Sequence, residues 1–237
     1  MALGTATAPY ELRFDAGRIC LDLLSTTHPE ERLGCVAPLR AWITGSGLVP
    51  AATELAHADA SWPVAFRELR GHVGRLVTGC LPSGSRPYAL ASARAESLTP
   101  VRADGLTPPS PEGLTPSRPS RFTPARPYDL ALARVNEVAR AAPPVPRLVR
   151  AEDGALMREL AEPPGCAALL AAVARDAVEL LTDPVARAGL RQCEGDNCPI
   201  VYLDTSRGRR RRWCSSEVCG NRERVARHRR RAALARA

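Results

Sequence analysis

Apolar residues recur along this chain at intervals that switch between two and three-or-four, and each switch marks an element. Between Tyr10 and Ser25, Leu12, Phe14, Ile19, Leu21 and Leu23 alternate around Asp15-Ala16-Gly17, which predicts two short strands in a hairpin. Leu39, Trp42 and Ile43 share one face of a short helix expected from Ala37 to Ser46. From Trp62 through Phe66, Leu69, Val73 and Leu76 to Cys80 the steps are three and four, as in a longer helix with one buried stripe. His72 lies beside that stripe and reads as a satisfied, partly buried histidine rather than a catalytic one. Tyr128, Leu132, Val135 and Val138 predict a second core helix that ends before Pro143-Pro144, and Cys166 to Leu181 a third that buries Leu169, Val173, Ala177 and Leu180. Between them, residues 145 to 162 predict a hairpin about Asp153-Gly154, although the spacing leaves a helix open for its second arm. Asp183-Pro184 offers an N-cap and a proline at the first helical position, so a short helix should run to about Leu190.

One stretch fits neither period. Leu98-Thr-Pro100, Leu106-Thr-Pro108, Leu114-Thr-Pro116 and Phe122-Thr-Pro124 recur every eight residues, and Arg86-Pro87-Tyr88 returns forty residues later as Arg126-Pro127-Tyr128. This is a tandem expansion of a loop and the start of the helix after it. One apolar residue per proline-bearing unit cannot bury a core, so an insertion at about 82–126 is expected to be disordered or polyproline-like and dispensable for folding.

At 237 residues and 45% hydrophobic, the chain can bury one ordinary core and carry a small appended module. The expected fold class is therefore α+β, mainly α, with a helical unit at 9–188 and a second unit at 189–237. No run of eighteen apolar residues occurs, and Met1 to Tyr10 lacks the basic start and apolar stretch of a secretory signal, so a cytoplasmic protein with no membrane contact is expected. Cys20, Cys35, Cys80 and Cys166 are scattered among apolar neighbours, as free thiols in a reducing compartment are.

The other four of the eight cysteines are ordered differently. Cys193, Cys198, Cys214 and Cys219 stand in a symmetric C-x4-C-x15-C-x4-C spacing. Two short cysteine loops are a ligand arrangement, favoured here over a pair of disulfides, and four soft thiolates suit one tetrahedral Zn2+ per chain with no open coordination position. The segment has few apolar side chains of its own, Ile200, Val201, Tyr202, Leu203 and Trp213, so the metal should supply the folding energy. The expected order is knuckle, hairpin, helix, a treble-clef-like module. Pro199 to Asp204 forms the outgoing strand, Arg207-Gly208 the tip and Trp213-Cys214 the return strand, after which Asn221 caps a helix through Arg231. His228, nine residues past Cys219, is not needed as a ligand.

Charge follows the cysteines. Every basic residue is Arg, a choice that codon bias explains because the neutral part of the chain lacks Lys as well. Their clustering is what carries information: residues 189–237 hold 13 Arg against 5 acids, which accounts for the whole formal +8. A zinc tetrathiolate brings this to about +6, still enough to displace several counterions from a polyphosphate. Arg207, Arg209, Arg210, Arg211 and Arg212 are candidates to hold phosphates, while Asn221, Arg222, Arg224, Arg227, His228, Arg229, Arg230 and Arg231 lie on the candidate groove-entering helix. Trp213 and Tyr202 read as the module's small core rather than as base-stacking rings.

These residues carry a family resemblance. Asp204-Thr205-Ser206-Arg207, Arg212-Trp213-Cys214-Ser215 and Cys219-Gly220-Asn221-Arg222 resemble the signature of the bacterial CGNR-type zinc finger, found at the C-terminus of stress-induced transcription regulators. Phe14 to Asp22 resembles the opening of the ABATE domain that accompanies this finger. Departures are mild: Tyr202 and Arg224 stand where the family usually has Phe and Lys, and Leu23 where an aromatic is usual. The resemblance implies a zinc-dependent, DNA-binding transcription regulator responsive to stress or to a ligand. Its partners would be DNA and a small molecule or protein at the N-terminal domain. Two alternatives stay open, an RNA-associated or nonspecific nucleic-acid binder, and an enzyme-like N-terminal domain targeted by the finger. Against catalysis, no glycine-rich phosphate loop, nucleophile elbow or histidine–carboxylate cluster precedes residue 188, and His28, His57 and His72 lack metal-ligand spacing. Asp22 beside Cys20 is the one polar pair there that invites testing.

Overall fold

The computed structural model describes residues 12–81 and 126–234; the octapeptide repeats lie outside them. Seven helices and two antiparallel hairpins follow one another among the described residues: α1 (Ile19–Ser25), α2 (Val36–Gly45), α3 (Ser61–Gly79), α4 (Pro127–Ala139), β1 (Pro146–Arg150), β2 (Leu156–Leu160), α5 (Cys166–Thr182), α6 (Pro184–Arg187), β3 (Leu190–Gln192), β4 (Val201–Leu203) and α7 (Asn221–Leu234). The architecture is mainly helical, as the pattern predicts.

α3, α4 and α5 pack on one another, and α1 is laid across α3 and α5. Phe66, Val73 and Val77 of α3 meet Leu169, Val173, Ala177 and Leu180 of α5 in a core from which water is excluded. Trp42 of α2 meets Phe66 edge-on at 5.9 Å between ring centres, the arrangement that the aromatic quadrupole favours. A buried ion pair ties the loop before α2 to this core: Arg70 donates to Glu31 and, at 2.7 Å, to the Thr26 hydroxyl. Asp183 caps α6 by accepting from the Val185 N–H at 2.8 Å.

The expected first hairpin is absent. Ile19–Ser25 is helical because Cys20, Leu21, Leu23 and Leu24 are all buried, and a helix enclosed on every side loses its three-four periodicity. The turn ahead of it is held by Asp22, whose carboxylate accepts the Ala16 N–H at 3.0 Å, while burial pushes its pKa up to about 7. The face of α4 is also shifted: Ala131 and Val135 are buried, with Val138 packed beside them, whereas Tyr128 and Leu132 are about half exposed. The second arm of the hairpin after α4 is a strand, with Leu148 opposite Arg158 and Val149 opposite Met157. Among the described residues no helix is long and apolar enough to cross a membrane.

Candidate zinc centre and nucleic-acid interface

The cysteine module is built on a hairpin other than the expected one. β4 pairs with β3, which precedes the first cysteine loop, and not with the segment before Cys214. The reason lies in Asp204 and Tyr202. Asp204 accepts the N–H groups of Ser206 and Arg211 at 2.9 and 3.1 Å, and the Tyr202 hydroxyl donates to the Arg211 carbonyl at 2.5 Å. These bonds hold residues 204–213 as a compact looped arm, which leaves β4 free to pair with β3. Nor does Asn221 cap the last helix. Asn221 is instead the first residue of α7, and Ser215 caps the wide turn over Ser216–Gly220 that leads into it, its hydroxyl accepting from Val218 N–H at 3.3 Å.

All four sulfurs converge. Their Sγ atoms lie within 4.8 Å of one another, with Cys198 and Cys219 at 3.6 and 3.5 Å from Cys214. Thiolates about 2.3 Å from a tetrahedral zinc lie roughly 3.8 Å apart, whereas disulfide sulfurs lie at about 2.05 Å. The four buried thiols therefore fit one structural zinc ion and no disulfide. Backbone amides of the knuckle are already aimed at the sulfur charge: Gly195 and Cys214 donate N–H groups to Cys193 Sγ at 3.4 and 3.3 Å. Without a cation the thiols compete for ionisation. Hydrogen bonds from Cys198 and Cys214 hold the Cys193 thiol far below its ordinary value, and the same contacts push Cys198 up to about 12 and Cys214 up as well. On holding a zinc ion the four cysteines would give up their remaining protons, so loading would release protons and weaken as pH falls.

Two contacts of the module were invisible at the level of motifs. Gly220 of the Cys219-Gly220-Asn221-Arg222 run lies flat against Trp213, and a Cβ there would sit 2.9 Å from the indole ring, so only glycine lets the wide turn close over the tryptophan. The second contact comes from the other end of the chain. Arg13, only 18% exposed, donates to Asp15 at 2.8 Å and to Cys214 Sγ at 3.4 Å. Around it the Leu203 N–H donates to Ala16 O at 2.8 Å, Arg211 donates to Asp15 O at 3.0 Å, and Gly17, at φ +90, lets Leu203 approach its Cα. The cysteine module thus shares its core with α1 and completes its outer ligand sphere with an N-terminal arginine. Outer-sphere donors typically change metal affinity by about 10- to 100-fold, so Arg13→Ala in the full chain should hasten zinc transfer to a chromophoric chelator by at least about tenfold. Transfer at the parental rate would show that the Arg13 contact does not support the centre.

The candidate phosphate contacts divide by their partners. Arg211 is turned inward: its guanidinium lies 4.5 Å from the Tyr202 ring centre and donates to Trp213 O, Cys214 O and Asp15 O. It clamps the arm to the N-terminal loop, unlike its neighbours in the run of arginines. Arg212 is exposed but pairs with Glu194 at 2.6 Å while covering the Trp213 ring, and Arg209 reaches Val185 O at 3.3 Å. Arg207 and Arg210 extend from the arm without an ion pair among the described residues. On α7, Arg224, Arg227, His228 and Arg231 follow the i, i+3, i+4, i+7 spacing of one helical face, and all are exposed. Arg224 also donates to Gly220 O and Ser216 O, and Arg230 is tied to Glu223 at 2.8 Å. Asn221, Arg222 and Arg229 are exposed on the remaining faces.

The polar pair of the first segment is structural. Cys20 is fully buried and its thiol is pushed well up by burial, then by Asp176, whose carboxylate accepts the Cys20 N–H at 2.9 Å. Asp22 is committed to the Ala16 amide. His72 lies 3.8 Å from Glu68, and burial lowers its pKa, as suits a neutral ring at a packed helix edge.

Comparison with known families assigns most of the chain. The ABATE family model, described as "Putative stress-induced transcription regulator", matches residues 17–184, and the CGNR zinc finger model matches residues 190–232. No curated protein matches the chain.

Proposed function

From the premise that the chain belongs to the ABATE family and carries a CGNR zinc finger, we propose that it is a zinc-dependent DNA-binding regulator of transcription. In this reading residues 9–188 receive a stress signal or ligand, residues 189–237 bind DNA, and the protein acts in the cytoplasm. The observation that carries the proposal is α7. Its first turns lie across Gly195 and Asp196 of the knuckle, so zinc fixes its direction, and beyond them it projects a continuous arginine and histidine face to solvent. A helix about 10–12 Å across enters a major groove about 12 Å wide, and arginines on one face reach guanine edges in a bidentate manner. Arg207, Arg209 and Arg210, on the arm preceding that helix, supply sequence-independent contacts to phosphate.

Nothing in this arrangement supports catalysis. A zinc ion closed by four thiolates offers no position for an activated water, and Cys20 and Asp22 are spent on packing and a turn. The rival reading, an RNA-associated protein, predicts that structured RNA displaces duplex DNA. With the zinc-loaded full chain at physiological salt, duplex DNA is expected to bind and to resist equimolar structured RNA. Preferential capture by RNA, or no duplex binding even at low salt, would overturn the proposal.

A further inference from the structure

Three clefts of comparable size differ in what lines them. One of about 620 Å3 runs beside Arg210 and Arg212 and belongs to the interface already described. Another, of about 490 Å3, lies over Asp22, but its acids are engaged: Asp176 holds Arg18 and the Cys20 N–H, and Glu179 holds Arg18. The third, of about 580 Å3, opens between the loop Pro50–Glu54 and the edge of β2 with the turn after it.

This third groove combines two properties. Its walls are largely apolar, with Pro50, Ala51 and Ala52 on one side and Met157, Leu160 and Pro163 on the other. Its charged groups fall into two classes. Arg147 is neutralised by Glu159 at 2.9 Å, and Arg158 donates to the carbonyls of Gly47 and Leu48 at 3.4 and 3.5 Å. Glu54 and Glu162, in contrast, have no ion pair or hydrogen bond among the described residues. The five charges sum to −1, and the two uncommitted ones are both carboxylates.

We propose that this groove binds an amphipathic organic cation, whose apolar body lies on Met157 and Leu160 and whose charge is directed to Glu54 and Glu162. The volume is that of a small-molecule site, within the usual range of roughly 300–1,000 Å3. An anion would meet two unpaired carboxylates against a single guanidinium, Arg158, that no acid neutralises. A neutral apolar molecule would gain from the walls but nothing from the acids. A bulky cation uses both, and the flexible, polarisable thioether of Met157 adapts to ring systems of varied shape. The groove lies within residues 17–184 and does not involve the arginine face, so the inference does not rest on DNA binding.

The chain contains two methionines, Met1 and Met157, so carbon-13 methyl labelling of methionine puts a reporter in the groove, whose resonance is assigned by its loss in Met157→Leu. Titrating the zinc-loaded full chain with tetraphenylphosphonium should move the Met157 methyl resonance saturably. Tetraphenylborate, of the same shape and opposite charge, should move it far less at equal concentration. Glu54→Gln with Glu162→Gln should weaken tetraphenylphosphonium binding by about tenfold, the effect of losing two exposed ion pairs. Glu54 and Glu162 make no ion pair or hydrogen bond among the described residues, and an unchanged far-ultraviolet spectrum and melting temperature establish the variant's integrity. An unmoved Met157 signal, equal affinity for the two probes, or a double variant that binds as well as the parent would each overturn the proposal.

Discussion

A full-length protein carrying Cys198→Ser is expected to be recovered with no bound zinc and with its chain unfolded from Leu190 onward. Four thiolates set the tetrahedral centre, and an alcohol in place of one leaves a site that neither matches the metal's softness nor closes its coordination. Structural zinc contributes on the order of 10–16 kcal/mol of apparent folding free energy at neutral pH, more than the small set of side chains around Tyr202 and Trp213 can replace. The helical core around Trp42 and Phe66 adjoins the module through α1 but is held by the packing of α3, α4 and α5 on one another, and should persist. Metal analysis should fall from one equivalent to none, thermal scans should separate into a lost and a retained component, and the emission of Trp213, one of three tryptophans, should shift to that of a solvated indole. Retention of a full zinc equivalent by Cys198→Ser would refute the tetrathiolate centre.

Binding to duplex DNA should weaken steeply with salt, and its dependence should separate the two groups of arginines. Each phosphate contact releases a counterion worth roughly −0.9 in the slope of log K against log salt, so about five contacts give a slope near −4 to −5. Replacing Arg207, Arg209 and Arg210 together by Ala should make the slope shallower by about 2 to 3 while leaving preference among sequences intact. Arg211→Ala tests something else: it removes the clamp to Asp15 and Cys214 and should impair the fold first. On α7, Arg227→Ala should reduce sequence preference by about 1–3 kcal/mol with little change of slope. A fluorescence anisotropy titration over a range of salt distinguishes these outcomes. Equal, purely slope-changing effects at both sites would leave α7 as a phosphate-binding helix with no part in reading bases.

Local chemistry made much of this legible before the structure. The stripes of α3 and α5 stand out because each helix buries one face and wets the other, and the carboxylates of Asp153 and Asp183 bind backbone N–H groups only two residues on. The zinc ligands are equally plain, since a metal site concentrates its information in a few residues at fixed spacing. α1 was hidden because burial on all sides leaves no pattern to read. The pairing of β4 with β3 was hidden because Asp204 and Tyr202 settle it through hydrogen bonds to an arm that carries no strand signal. Arg211 looked like its neighbours in a run of four arginines; the Tyr202 ring and the carbonyls of Asp15, Trp213 and Cys214, which the fold gathers around it, distinguish it. The contact of Arg13 with Cys214 spans 201 positions of sequence, and no local rule reaches that far.

That last contact bears on how freely such a finger can be transplanted. Residues 190–232 look like a cassette, bounded and complete in their ligands, yet Leu203 takes its backbone partner from Ala16 and lies against Gly17, and Cys214 takes a donor from Arg13. Grafted onto an unrelated carrier, the segment would expose the Leu203 edge of its hairpin and leave one sulfur without its guanidinium. A chimera of two such proteins would therefore have to exchange the short Arg13–Gly17 strip together with the finger, because the unit that can be moved between proteins is discontinuous in the chain.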